Sequence, residues 1–197
     1  MTNFEAKERV QNYLDTISKY LVPEIKGLAN KRQNADGYEG YAVPLALTLF
    51  PLIDVLGFLL REKDAKGNNP KRRETVENFK ALLADNNYFP EMYSEEKTWC
   101  ILLKVFRHGI SHTLFPKVSG IGKHGEQQLI IEGSGDCKFI LNVDRLTKEC
   151  LEAFEKIKSV VEEGADEGLI NCIDERITQL YNEDSDDIDK LNDSFQT

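Results

Sequence analysis

Between Tyr41 and Leu60, 15 of 20 residues are apolar. A helix apolar on every side has to be buried on every side, either at the centre of a protein or in a bilayer. The run approaches the length of about 20 residues that a membrane span needs. Pro44, Pro51, Gly57 and above all Asp54 argue against lipid, because a single segment with an isolated carboxylate has no partner helices to shelter that charge. The run therefore predicts the central helix of a soluble helical bundle, with no membrane as partner.

With 197 residues the chain is long enough for one domain with its own core and short for two. Its formal net charge of -9 comes from 34 acids and 25 bases, which excludes a surface that coats nucleic acid through its overall field. The charge is uneven: residues 151–197 hold 14 acids and 4 bases, a net of -10, leaving +1 on residues 1–150. Four widely spaced cysteines, Cys100, Cys137, Cys150 and Cys172, form no CxxC pair and no dense disulfide framework. They read as free thiols in a reducing compartment. The charged N-terminal stretch, with Glu5, Lys7, Glu8 and Arg9, lacks the apolar core of an export signal, so the cytoplasm is the expected location.

Periodicity predicts a mainly α fold: a bundle of about six helices with a small antiparallel hairpin inserted between the fourth and fifth. The first helix runs from a capping box at Thr2 to Glu5 as far as Asn30, kinked near Pro23. The apolar run is the second, and Asn69-Pro70 has the cap and first-turn residues to start a third that reaches Asp85. Ser94 caps a fourth that carries Trp99, Leu102, Leu103, Phe106 and Ile110 and ends before Pro116. A hairpin within residues 117–143 follows, its strands at Gln127–Glu132 and Cys137–Val143, with room for a third strand near Val118. Asp144 starts the fifth helix, Gly164 ends it, and a sixth begins near Asp166. One domain over residues 1–182 results, and residues 183–197, with six acids and few apolar anchors, are expected to be a flexible acidic tail.

The chemistry concentrates at the end of the fourth helix. All three histidines, His108, His112 and His124, fall within 17 residues, two of them beside Arg107. An imidazole titrates near neutrality, and a guanidinium grips phosphate oxygens in two-pronged fashion. Together they suit phosphoryl transfer.

The segment Arg107-His108-Gly109-Ile110-Ser111-His112 resembles the signature of HEPN domains: an arginine, a polar residue, a few further positions, then a histidine. The four intervening residues lie within the family's range, and the helical context agrees with its all-helical fold. The resemblance implies an endoribonuclease that needs no metal or other cofactor, usually a homodimer whose two motifs face one cleft. On this chain it assigns Arg107 to the charge developing on the phosphorane and His112 to proton transfer as the ribose 2'-hydroxyl attacks, with His108 and Ser111 in support. The expected products are a 2',3'-cyclic phosphate and a 5'-hydroxyl. Leu114 stands where many members carry a tyrosine. RNA, a second copy of the chain and an antitoxin or other protein are the implied partners, in a toxin-antitoxin or phage-defence setting. Some members only bind or dimerise, which keeps a non-catalytic module open.

Other readings of these residues remain. Arg107 suits a helix end simply as a partner for carbonyls or a carboxylate, and His108 with His112 has the four-residue spacing of a zinc-binding pair. Asp54 is costly to bury without a partner, for which Arg107 is a candidate, and on that reading it supports the site; equally, Pro51 can place it at a kink or at the surface, where it needs none. The stretch Arg61 to Arg73, with six bases against two acids, is a solvated loop or a guide for an RNA backbone. The acidic tail reads as a solubility device, as a mimic covering a basic cleft, or as neither.

Overall fold

The computed structural model describes residues 3–33, 41–85, 88–113, 119–122 and 128–195. The chain is mainly helical with one small sheet. The capping box at Thr2, the loop at Asp36-Gly37, Pro116 and His124 lie outside the described residues.

Helix α1, Asn3–Thr16, and helix α2, Val22–Gln33, are joined without a break by a π-helical turn at Ile17–Leu21. The Val22 N–H bonds to the Ile17 carbonyl, five residues back. Pro23 explains this: its ring would collide with the carbonyl four residues earlier, and a widened turn moves the carbonyls aside. The expected kink is thus a π turn, and the helix runs on beyond Asn30.

Helix α3, Ala42–Leu59, is the apolar run, and it takes the central place expected of it. Leu45, Ala46, Leu49, Phe50, Leu52, Ile53 and Leu56 are buried, and α2, α4 (Thr75–Lys80), α7 (Val143–Glu163) and α8 (Glu167–Phe195) all pack on it. Between α3 and α4 the expected helix start at Asn69-Pro70 is not used. The Asn69 side chain accepts from Arg176 Nη2 at 3.1 Å and the Pro70 carbonyl from Gln179 Nε2 at 2.9 Å, both on α8. These contacts hold residues 61–74 as an irregular loop, and α4 begins only at Thr75. A second π turn, Ala81–Asp85, prolongs it.

Helix α5, Glu96–Ile101, passes through a third π turn, Leu102–Arg107, into α6, His108–Thr113. Its cap position is Glu95 rather than Ser94, whose hydroxyl closes the preceding turn on the Glu91 carbonyl at 2.7 Å. The sheet is mixed. Strands β2 (Ile130–Glu132) and β3 (Phe139–Asn142) pair antiparallel, as a hairpin does. Strand β1 (Ser119–Gly122) pairs parallel on the other edge of β3, in the order β1-β3-β2.

Helix α7 is capped by Asn142, whose side chain accepts from the Arg145 N–H at 3.1 Å, so Asp144 sits in the first turn instead of at the cap. Gly164 ends it in the left-handed conformation, φ 69°. On α8, Ile170, Ile173 and Ile177 are buried, and the buried Asp174 receives both Nε and Nη2 of Arg9 at 2.8 Å, fastening α8 to α1. The backbone stays helical to Phe195, where an irregular segment was expected beyond Asn182. Arg72 forms an ion pair with Asp184 of this extension at 2.7 Å.

Candidate functional site

The crossing of α3 and α4 sets the geometry of the site. A β-carbon on Gly57 would lie 1.9 Å from the Asn78 carbonyl oxygen, so only glycine permits this backbone contact. Asp54, one turn earlier on α3, thereby meets the first turn of α4. Thr75 Oγ1 donates to its Oδ2 at 3.2 Å, and Asn78 Nδ2 donates to its Oδ1 at 2.8 Å. Asn78 is itself 1% exposed and well satisfied. Its Nδ2 also donates to the Arg72 carbonyl at 3.0 Å, and its Oδ1 accepts from Arg61 Nη1 at 2.9 Å. One buried amide thus ties α3, α4 and the basic loop together, as a buried polar group must be tied.

Arg107 also approaches Asp54, Nη2 to Oδ2 3.9 Å, with both side chains about a quarter exposed (26% and 22%). At that distance the pair is electrostatic rather than hydrogen-bonded. Arg107 ends the π turn, and the His108 N–H reaches back five residues to the Leu103 carbonyl. Leu102, Leu103 and Phe106 anchor this turn in the core while Arg107 and His108 remain half-buried. π turns recur at functional sites because they re-aim side chains without breaking a helix.

Arg107 and His108 open onto a cleft of about 890 Å³ that Arg72, Arg73 and the start of α4 also line. From α8, Glu183 and Asp187 reach the same cleft. Its lining holds three arginines against five carboxylates: Asp54, Glu74, Glu77, Glu183 and Asp187. Glu74 is engaged by Arg61 at 2.7 Å, and that hydrogen bond, with the Lys71 N–H, holds its carboxyl below the ordinary value.

The structure therefore brings Asp54, Arg107 and His108 to one cleft. Ser111 and His112 belong to α6, one turn beyond His108, and their side chains lie outside the described residues. The basic loop divides its labour. Arg61 braces Asn78 and Glu74, Lys63 pairs with Glu175 at 3.0 Å, and Arg72 and Arg73 line the cleft. Which members of the stretch would face the site was not readable from its composition. Their opposition to the acidic end of α8 was signalled only by the sign of the two charge runs. Among the described residues, no group of three His, Cys, Asp or Glu side chains converges as a metal site requires.

No protein-family model, no curated protein and no solved structure matches this chain.

Proposed function

We propose that this protein is a metal-independent endoribonuclease of the HEPN type, acting in the cytoplasm as a homodimer within a toxin-antitoxin or phage-defence pair. In this reading the helices form the HEPN bundle and the sheet is an insertion into it. The observation that carries the proposal is that the motif's Arg107 and His108 share a cleft with Arg72 and Arg73, with the Asp54 carboxylate within ion-pair range of Arg107. Arg72 and Arg73 receive backbone phosphates, and Arg107, steadied by Asp54, faces the scissile phosphate, where a guanidinium stabilises the charge that grows in the transition state. His112 moves the proton of the attacking 2'-hydroxyl or of the leaving oxygen. His108 and Ser111 support it. The bond from the 2'-oxygen to phosphorus forms as the bond to the 5'-oxygen breaks, leaving a 2',3'-cyclic phosphate and a 5'-hydroxyl.

One observation favours the alternative, a non-catalytic HEPN-like binding or dimerisation module: the cleft lining carries more carboxylates than arginines, a poor entrance for a polyanion. The deciding experiment incubates the purified protein with a mixed RNA pool in EDTA and analyses the product ends. Cyclic-phosphate ends are expected in EDTA, from a protein that sediments as a dimer at micromolar concentration. Absence of cutting establishes the binding module, and cutting restored only by zinc assigns His108 and His112 to a metal.

A further inference from the structure

The excess of carboxylates in the cleft has a single source. Without Glu183 and Asp187 of α8, the lining balances at three arginines and three carboxylates, and one of the three, Glu74, is already engaged by Arg61. Asp184, between them on the same helix, takes Arg72 at 2.7 Å. The last turns of α8 thus do two things at once: they neutralise a cleft arginine and they place negative charge where an RNA phosphate would enter. Glu183, Asp184 and Asp187 recur at one-, three- and four-residue steps, which keeps the three carboxylates along one side of the helix.

Resting on the ribonuclease reading, we propose that the acidic end of α8 is a built-in substrate mimic that occupies the phosphate-binding side of the cleft and holds the protein in a low-affinity state. The contact is suited to displacement. Arg72 and Asp184 are both about half exposed (47% and 58%), and an ion pair in that setting is weak and screened by salt. What the carboxylates have is tethering, which gives them a high effective concentration at Arg72. A single-stranded RNA long enough to engage Arg72, Arg73 and Arg107 together outcompetes them, and a short oligonucleotide does not. The buried residues that fasten α8, Asp174 and Ile177 among them, lie upstream of the mimic. Release of the acidic end therefore leaves the body of the fold intact.

The test measures binding of a labelled single-stranded RNA of mixed sequence by fluorescence anisotropy, using the full chain. The variant Glu183→Gln/Asp184→Asn/Asp187→Asn is compared with a control of equal charge change on exposed positions of α7, Glu152→Gln/Glu155→Gln/Glu163→Gln. The α8 variant is expected to bind about tenfold tighter, with a salt dependence steeper by about 0.7 in log K per log salt for each arginine released. Adding Arg72→Gln returns the affinity toward that of the wild type. Equal tightening in the control shows a general field effect and overturns the proposal, as does no tightening in the α8 variant or no RNA binding by any variant. Cleavage is read separately. Tighter binding without cutting sinks the ribonuclease reading and leaves the mimic standing, whereas cutting that is indifferent to the α8 variant does the reverse.

Discussion

Two helices of this protein are interrupted by a π turn in different ways. At Ile17–Leu21 the cause is local: Pro23 lies just downstream, and no residue of the turn is buried. At Leu102–Arg107 no proline lies in or beside the turn, three of its residues are buried, and it ends on the arginine that faces Asp54. The first is a repair of backbone sterics. The second is held by packing of the core around Leu102, Leu103 and Phe106, and its result is the aim of two polar side chains. A distortion with a sequence cause needs no further account, while one maintained by tertiary contact at the edge of a cleft is where a functional constraint is to be sought.

The largest effect that would sharpen this contrast lies one turn past the second π turn. On the ribonuclease reading, His112→Ala is expected to slow RNA cleavage about a hundredfold or more while RNA affinity changes little, since that reading gives it the acid or base of the transition state. Arg107→Ala is expected to weaken both affinity and rate, because a guanidinium meets phosphate before and during reaction. Single-turnover kinetics alongside anisotropy separate the two patterns. Variants that cut as fast as wild type would remove the functional meaning from the second turn.

Next in size is the scaffold beneath the cleft. Gly57→Ala forces a methyl against the Asn78 carbonyl, a backbone atom that cannot step aside, and is expected to destabilise by about 1 to 3 kcal/mol, the usual range for overpacking. The contrasting substitution is Gly27→Ala on α2, where a β-carbon meets nothing within 4 Å. It is expected to stabilise by about 0.5 to 1 kcal/mol, the ordinary difference between these residues in a helix. Chemical denaturation of both variants checks the opposite signs, and equal effects would mean that the α3–α4 crossing is looser than its geometry indicates.

How much of this was legible in the sequence follows from whether each signal was local. The central place of α3 follows from its uniform apolarity, and the end of α7 from Gly164, which reaches a φ that other residues avoid. The start of α4 was misplaced because Asn69 and Pro70 carry local helix-start chemistry that Arg176 and Gln179 of α8 divert to other contacts. Local preference lost to tertiary bonding. The helix beyond Asn182 was missed for a related reason, since composition registers six repelling acids but not the arginine that pairs with Asp184. Strand β1 was anticipated only as a possibility, and its parallel pairing rests on a long-range partner that periodicity does not name. At the site, the cost of burying Asp54 pointed to a cation, and Arg107 lies within ion-pair range. Asn78, which holds Asp54 in place, carried no signal, because a buried amide looks like any other asparagine until Asp54, Arg61 and the Arg72 carbonyl are assembled around it.

A smaller effect distinguishes how the two regions respond to acid. The wall of the cleft is braced by Glu74, whose carboxyl Arg61 holds below its ordinary value of 4.5. A depressed folded pKa means that the contribution is fully present above the ordinary value and is lost as pH falls through the folded one. Protection from amide exchange at Thr75 to Asn78, taken relative to the intrinsic rate at each pH, is therefore expected to fall in acid before that at Val10 to Leu14, which are held by apolar burial on α1. Glu74→Gln should abolish that difference in onset, and simultaneous loosening of both segments in the wild type would count against the brace.

The smallest effect tests the cause assigned to the first π turn. In an ordinary helix interior, proline costs about 3 kcal/mol relative to alanine, through a missing N–H and a clash with the preceding turn. Here the widened turn has already moved the offending carbonyls, and Pro23 is exposed, so most of that cost is absorbed. Pro23→Ala is expected to stabilise the protein by no more than about 1 kcal/mol. It should also let the segment rewind, so that the Val22 N–H moves from the Ile17 carbonyl to that of Ser18, four residues back. Backbone chemical shifts of residues 17–23 report the change, and on the ribonuclease reading cleavage of RNA stays as in the wild type because the segment does not line the cleft. If the Val22 bond to Ile17 persists without the proline, the first turn is held by tertiary contact as the second is, and the distinction between the two is lost.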